Sequence, residues 1–457
     1  MLKIILIVLV TIIAVVVLMY FLAKFLRKRL NWGPQAVHAP HFADHIHVAP
    51  ASKFIADIQR DAKVSQLGPH RNPMAWELRK MVARAAAPGG HSVLKSSAPR
   101  AAVSDNEKVL MLSGGGQWGA YGAGLFRALH DASGNGLAMT NVKVITGIST
   151  GSLQTLLLMV ALDGNAKRQT RDYAMRQLEW GYSPKDEGEV VDNRGMVQML
   201  LRGAQAGTAP LRKRIRHAIY ENGSGEILDA IRNSSIEGYV GFVEANCGHF
   251  HYADVRELVR KAPDNEAAVE ALTAAAMASS AMPVFHQQLR VTGLEKGDRS
   301  LYDGGVRRSV FFERAIEEMQ EEVKQRAGDP ADPDPPGAEL AQVTPDFFVV
   351  RNGPTVRDLA PHLDASDDPL GNGKRGYDLL VNESELGAIA NLRLLNPHGT
   401  IWVTTADGWE DMICRSTGEK CKKGDKMFDP DFMTCLRDLG HHKVSRKDGA
   451  WWEMRKL

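Results

Sequence analysis

The residues best suited to chemistry lie in a Gly-x-Ser-x-Gly pattern at 147–151, which reads GISTG. The pattern stands between two apolar runs, one at 142–146 and one at 153–162. A serine between a buried strand and a helix occupies a sharp, strained turn, and flanking glycines let the strand and the helix approach closely. Its hydroxyl then projects beyond the carboxyl end of the strand, where open α/β sheets bind ligands. Ser149 is therefore the candidate nucleophile.

A glycine-rich loop, SGGGQWG at 113–119, follows the preceding apolar run at 109–112. The loop has the spacing of the dinucleotide fingerprint, but that fingerprint needs an acid at the tip of the second strand, and none follows there. Nucleotide binding stays an alternative, which predicts thermal stabilisation by NAD. Beside a serine nucleophile, the backbone N–H groups of Gly114, Gly115 and Gly116 are candidates to stabilise a developing oxyanion.

A serine nucleophile needs a base, and the segment LYDGGV at 301–306 offers Asp303 on a glycine turn. Upstream, the segment ASSAMP at 278–283 has small residues that end a helix before a proline and permit close packing. We expect these two segments to bring the carboxylate of Asp303 to the hydroxyl of Ser149.

The elements that must position these residues alternate in type along the chain. Strand, helix, strand, helix from 109 to 162 is typical of an α/β fold, in which the parallel strands are buried on both faces. Further strands are predicted at 240–244, 347–350 and 401–405.

In this order, the motifs SGGGQWG, GISTG, ASSAMP and DGG resemble those of the patatin-like phospholipase family. The likeness covers about residues 108–306 and extends toward 405. It implies a three-layer α/β sandwich with a mainly parallel central sheet. It also implies a lipid acyl hydrolase that uses a Ser149–Asp303 dyad without a catalytic histidine, with the amides of Gly114–Gly116 as the oxyanion hole. The motif glycines that the resemblance matches are Gly119, Gly147, Gly151, Gly304 and Gly305.

One residue departs from the family pattern: Trp118 stands where Arg or Lys often precedes the last glycine of the loop. A non-catalytic membrane scaffold that keeps the fold is therefore one alternative. A Ser-His-Asp esterase is another, with His398, His441 or His442 completing the triad. No cofactor and no metal ion is expected for the dyad chemistry.

The first thirty residues contain a twenty-residue run without charge, from Ile4 to Ala23, followed by four basic residues at 24–29. Such a run spans roughly 30 Å as a helix, the thickness of the hydrocarbon core of a bilayer. The sequence predicts a transmembrane anchor at 1–30, and the positive flank places the rest of the chain in the cytoplasm. The expected substrate is then a membrane phospholipid or lysophospholipid at the lipid bilayer.

The composition of the 457-residue chain limits the remaining possibilities. It has 56 basic and 54 acidic residues, a balance too even to favour nucleic-acid binding, and its 44% hydrophobic share excludes a largely disordered chain. We divide the chain into the anchor, a linker with short helices at 31–105, a catalytic domain at 106–405 and a C-terminal extension at 406–457. The extension contains Cys414, Cys421 and Cys435; a zinc site built from them with His441 or His442 is an alternative to free thiols.

Overall fold

The structure is a computed structural model. It describes residues 2–29, 35–37, 39–48, 74, 77–78, 80–81 and 106–456, the last range without 133–138, 195–202, 222–223, 293–297, 313–344, 356–368, 398, 416, 425, 447 and 448. The strands are β1 Gln35–Val37, β2 Ile46–Val48, β3 Lys108–Leu112, β4 Val142–Ile148, β5 Asp192–Asn193, β6 Ala206–Gly207, β7 Glu237–Glu244, β8 Phe250–Asp254, β9 Leu289–Val291, β10 Arg299–Asp303, β11 Asp346–Val350, β12 Ile401–Thr404 and β13 Trp452–Glu453. The α-helices are α1 Leu2–Arg29, α2 Pro40–Asp44, α3 Gly119–Asp131, α4 Thr150–Ala161, α5 Arg168–Gly181, α6 Ala209–Ile219, α7 Glu226–Asn233, α8 Val255–Arg260, α9 Asn265–Ser279, α10 Pro369–Leu395 and α11 Pro430–Ser445.

One large sheet organises the described residues. Its strands lie in the order β1-β9-β10-β7-β4-β3-β11-β12-β13, with β8 paired to β7 and β2 paired to β8. The five central strands, from β7 to β12 in this order, are parallel to one another. The flanking strands β8, β10 and β13 run antiparallel to their partners in this central block. The α/β class with a mainly parallel central sheet is therefore confirmed.

Side chains of the central strands alternate between two apolar cores, as the twofold period of a strand requires. In β3, Leu110 and Leu112 belong to the core beneath α3, α4 and α9. Val109 and Met111 point to the other face, where Ile389 of α10 packs. Helices thus cover both faces of the sheet, which explains why the predicted strands at 109–112 and 142–146 are continuous apolar runs.

Residues 35–48, which the sequence analysis assigns to the linker, add two strands to the sheet. β1 pairs in parallel with β9, and β2 pairs antiparallel with β8. Nothing in the local pattern of this segment indicates strands, because their hydrogen-bond partners lie more than 200 residues away. Most of the remaining linker, in which short helices are expected, lies outside the described residues.

The expectation of a single-pass membrane protein with a cytoplasmic catalytic domain is wrong. Across the part of the chain that the structure describes, no helix is both long and apolar enough to cross a membrane.

The C-terminal extension packs on the catalytic part of the chain. Helix α11 crosses α3 so closely that a Cβ added at Gly124 would meet the backbone of Arg437, and one at Gly440 would lie 2.5 Å from the carbonyl oxygen of Tyr121. A disulfide joins Cys421 to Cys435, while Cys414 is a buried free thiol beside them. This arrangement differs from both the free-thiol and the zinc interpretations of the three cysteines.

Candidate active site

Ser149 occupies the turn between β4 and α4, as its motif predicts. Its backbone has φ 51° and ψ −120°, in the left-handed half of conformational space that residues with side chains seldom adopt. A Cβ at Gly151 would lie 2.5 Å from the carbonyl oxygen of Leu112, and one at Gly147 would meet the carbonyl oxygen of Gly151. Glycines at both positions are therefore required for the strand and helix to close around the turn.

Hydrogen bonds hold this strained turn in place. The N–H of Ser149 donates to Oγ of Ser279 at 2.8 Å, and the Ser279 hydroxyl donates in turn to the carbonyl oxygen of Gly241 at 2.7 Å. The carbonyl oxygen of Ser149 accepts from the backbone N–H of Ser152 at 2.9 Å. Because Ser279 uses the N–H of Ser149, that amide is not available to a ligand.

Strand β7 brings Asp303 to the same place. Gly241 pairs with Ile148, the last residue of β4, and the next residue, Phe242, pairs with Asp303. Since Phe242 also pairs with β8, strand β10 must lie along the other edge of β7, the edge that β4 occupies up to its end. Asp303 therefore lies beside the residue that follows β4, which is Ser149.

The turn after Asp303 fixes its carboxylate. The N–H of Gly305 donates to Oδ1 of Asp303 at 2.7 Å, and the N–H of Asp303 donates to the carbonyl oxygen of Ala281 at 3.0 Å. A Cβ at Gly304 would lie 2.6 Å from Cδ1 of Ile148, so only glycine fits there. The segments ASSAMP and DGG thus meet at the nucleophile turn.

The environment of Asp303 makes it an unusually basic carboxylate. Burial raises the pKa of Asp303 from 3.8 to about 7, and the negative charge of Glu385 adds to the rise. Hydrogen bonds from the backbone of Gly305 and from the side chain of Ser149 oppose it. Desolvation exceeds both, because a buried carboxylate loses its hydration. A carboxylate with a pKa near neutrality beside a serine hydroxyl can take the proton of that serine.

The glycine loop lies against the nucleophile. A Cβ at Gly114 would lie 3.3 Å from Cβ of Ser149. Gly115 has φ 149° and Gly116 has φ 57°, and a Cβ at Gly115 would collide with the carbonyl oxygen of Asn352. Among the described residues, none accepts a backbone hydrogen bond from the N–H of Gly114, Gly115 or Gly116. Free, preorganised N–H groups beside a serine are what an oxyanion hole requires.

A buried polar network, which no sequence motif indicates, supports the glycine loop at 113–119. The N–H of Asn352 donates to Oγ of Ser113 at 2.9 Å, and its side-chain amide donates to the carbonyl oxygen of Ser113 at 2.8 Å. The amide of Gln154 pairs with that of Asn352 and donates to the carbonyl oxygen of Gly119 at 2.8 Å. The partners lie far apart in sequence, so no local pattern predicts them.

Trp118, which departs from the family pattern, is buried against the C-terminal extension. Its ring contacts those of Trp409 and Phe432 edge to face, with ring centroids 5.6 Å and 5.0 Å away. Nζ of Lys423 lies 5.8 Å from the centroid of the Trp118 ring. A Cβ at Gly119, next along the chain, would meet the side chain of Thr150. Trp118 thus attaches the glycine loop to the extension.

The candidate histidines of a triad do not join Ser149 and Asp303. The hydrogen bonds that the structure describes for Ser149 and Asp303 involve no histidine. His441 and His442 lie on α11, and the charged groups that act on His441 include Glu179 and Asp131 but not Asp303. His398 lies outside the described residues.

Comparisons with known proteins give a family match for the region that contains the site. Residues 110–316 match the family model of the patatin-like phospholipases, a range that contains all four motifs. A patatin-like phospholipase family-model domain thus spans this part of the chain, and lipid acyl hydrolysis is the activity that the family suggests.

The chain is also similar to solved structures, among them the crystal structure of VipD from Legionella pneumophila. The identity is 11%, the aligned region covers 78% of this chain and 69% of that one, and the TM-score is 0.26. No curated protein matches the chain.

Proposed function

We propose that this protein is a serine lipid acyl hydrolase of the phospholipase A or lysophospholipase type, which cleaves acyl esters with Ser149 as the nucleophile and Asp303 as its base. The observation that carries the proposal is the position of buried Asp303, through the register of β7, beside the strained turn that holds Ser149. A carboxylate is a weak base for a serine, and burial of Asp303 strengthens it.

The reaction has two steps. Asp303 takes the proton of Ser149 as the hydroxyl oxygen attacks the ester carbonyl, and the resulting oxyanion accepts hydrogen bonds from the N–H groups of the Gly114–Gly116 loop. The tetrahedral intermediate collapses to an acyl-enzyme, and the alcohol leaves with the proton that Asp303 returns. Water then attacks the acyl-enzyme by the same route, which releases the fatty acid and restores the serine.

Exposed apolar side chains around the dyad support a lipid as the substrate. Val284 follows the ASSAMP segment and is 54% exposed, and Val306 follows the DGG turn and is 39% exposed. Helix α10 contacts the Gly304–Val306 turn and exposes Leu379 and Leu380, at 48% and 73%. Apolar side chains that face solvent next to the ASSAMP and DGG segments favour an acyl chain over a small polar ester.

The test is fatty-acid release from phospholipid and lysophospholipid vesicles. We expect release by the wild type, none above background from Ser149→Ala or Asp303→Asn, and nearly full release from His441→Ala and His442→Ala. Ser280→Ala also replaces a serine by alanine, in the ASSAMP segment, and serves as the matched control for Ser149→Ala. Activity that survives Asp303→Asn but is lost with one of the histidines would refute the dyad.

A further inference from the structure

The hairpin between β7 and β8 gathers three side chains with metal-binding atoms. Glu244 ends β7, Cys247 lies in the turn and His251 lies in β8. A carboxylate oxygen of Glu244, Sγ of Cys247 and a ring nitrogen of His251 all lie within 4.8 Å of one another. Gly248, at φ 70°, makes the tight turn that folds Cys247 back toward the strands.

His251 is a buried polar residue whose presence the hairpin turn does not require. It is 3% exposed, and among the described residues neither of its ring nitrogens has an aligned hydrogen-bond partner. Nε2 lies 3.3 Å from Oε2 of Glu244, which is within ion-pair distance. The ring stacks on Phe242, with the ring planes 7° apart. A buried imidazole with a carboxylate and a thiol within 4.8 Å has the donor atoms that a metal ion requires.

Two arginines lie near the cluster, and each has a hydrogen-bond or ion-pair contact of its own. Nε of Arg299, on β10, comes only to within 4.0 Å of Oε2 of Glu244. Arg307 donates instead to the carbonyl oxygen of Gly248. The ring of His249 lies 6.5 Å from that of His251, centroid to centroid. The donors that lie within 4.8 Å of one another are one carboxylate, one thiol and one imidazole.

We propose that Glu244, Cys247 and His251 form a binding site for a divalent transition metal ion, with Zn²⁺ the ion that fits best. Oxygen, sulfur and nitrogen donors together match the borderline-soft character of Zn²⁺, which binds them at about 2.0–2.3 Å. Tetrahedral coordination at those lengths sets neighbouring donors roughly 3.5 Å apart, inside the spread seen here. Cys247 is exposed, so an ion can enter from solvent.

The site lies close to the candidate dyad. Phe242, which pairs with Asp303, precedes Glu244 by two residues, or roughly 7 Å of strand. The same hairpin accepts the hydrogen bond from Arg307, four residues after Asp303. A bound ion would therefore hold together the end of β7 and the start of β8 beside the Asp303 turn.

Cobalt binding tests the proposal independently of any hydrolytic activity. Titration of the full chain with Co²⁺ is expected to give a thiolate-to-cobalt charge-transfer absorption that saturates at one equivalent, and Zn²⁺ should displace it and raise the melting temperature. Cys247→Ala and Glu244→Gln, both at positions that solvent reaches, should weaken Co²⁺ binding at least about tenfold, which is the usual cost of a lost ligand or its support.

Cys414→Ala is the matched control, because it removes the other free thiol and should leave the absorption unchanged. Absence of the absorption in the wild type would overturn the proposal. So would its loss in Cys414→Ala with retention in Cys247→Ala, which would locate the ion among the C-terminal cysteines. Because neither readout depends on ester cleavage, an inactive enzyme that still binds cobalt would separate this proposal from the proposed function.

Discussion

Replacing Asp303 with asparagine should inactivate the enzyme and stabilise its fold at the same time. The carboxylate is buried, and its pKa rises from 3.8 to about 7 in the folded chain. A raised pKa means that folding favours the protonated acid, so the folded state loses stability as the carboxylate ionises. Asparagine keeps the shape and an oxygen that can accept from Gly305, but it carries no charge.

The size of the effect follows from the pKa rise. A rise of about three pH units, at about 1.4 kcal/mol each, gives a cost of about 4 kcal/mol for holding the charged form above pH 7. The stability contribution of Asp303 is full below about pH 4, declines between about pH 4 and 7, and is lost above that. The advantage of Asp303→Asn over the wild type should therefore grow across this window and then stay constant.

Urea unfolding at pH 4, 5.5, 7 and 8.5 measures this difference. We expect the gap in unfolding free energy between Asp303→Asn and wild type to increase with pH by up to about 4 kcal/mol. The control is Asp298→Asn, which removes a carboxylate paired with Arg290 at the surface, and its gap should change little. If the gap does not depend on pH, or shrinks as the pH rises, ionisation of Asp303 does not destabilise the fold.

Three further predictions concern the groups around the dyad. The kcat/KM of the wild type should fall about tenfold per pH unit below about 7, because Asp303 becomes protonated. Glu385→Gln should move the midpoint of this pH profile to lower pH, because the charge of Glu385 raises the pKa of Asp303. Ser279→Ala leaves a buried N–H without its acceptor, at about 1–3 kcal/mol, and should lower kcat about tenfold or more, unlike Ser280→Ala. Gly115→Ala places a methyl group against a carbonyl oxygen at φ 149° and should lower kcat about 100-fold or more.

Each of these has an outcome that contradicts it. A flat pH profile between 5 and 8, or an alkaline shift in Glu385→Gln, would show that Asp303 is not the base. Equal kcat values for Ser279→Ala and Ser280→Ala would mean that the hydroxyl of Ser279 does not support the nucleophile turn. For the glycine loop the control is Gly164→Ala, where a methyl group meets open space. If both glycine variants lose the same activity, the close contact at Gly115 is not the cause.

The sequence predicted those parts of the site that local pattern encodes. Strands β3 and β4 are apolar because both faces of the sheet are covered, and Ser149 follows β4 because the glycines around it permit the turn. The approach of Asp303 to Ser149 was an expectation from motifs, and in the structure it follows from the register of β7, whose consecutive residues pair with the ends of β4 and β10.

The remaining parts depend on contacts between distant residues. Asn352 supports the glycine loop through Ser113, 239 positions earlier in the chain, and Ser279 supports Ser149 from 130 positions away. The run of small residues around Ser279 indicates close packing. It does not indicate that the Ser279 hydroxyl will accept a hydrogen bond from the N–H of Ser149. The burial of Trp118 against Phe432 has the same origin, because the extension that covers it comes more than 300 residues later.

In the proposed mechanism, Ser149 is activated by Asp303 and forms a covalent acyl intermediate. A fluorophosphonate probe followed by mass spectrometry of the digested protein tests it most directly. One adduct on the peptide that contains Ser149, formed in the wild type and lost in Asp303→Asn, is the predicted result. An enzyme that releases fatty acid while its adduct lies on another residue, or that labels Ser149 equally well without the Asp303 carboxylate, would contradict the account.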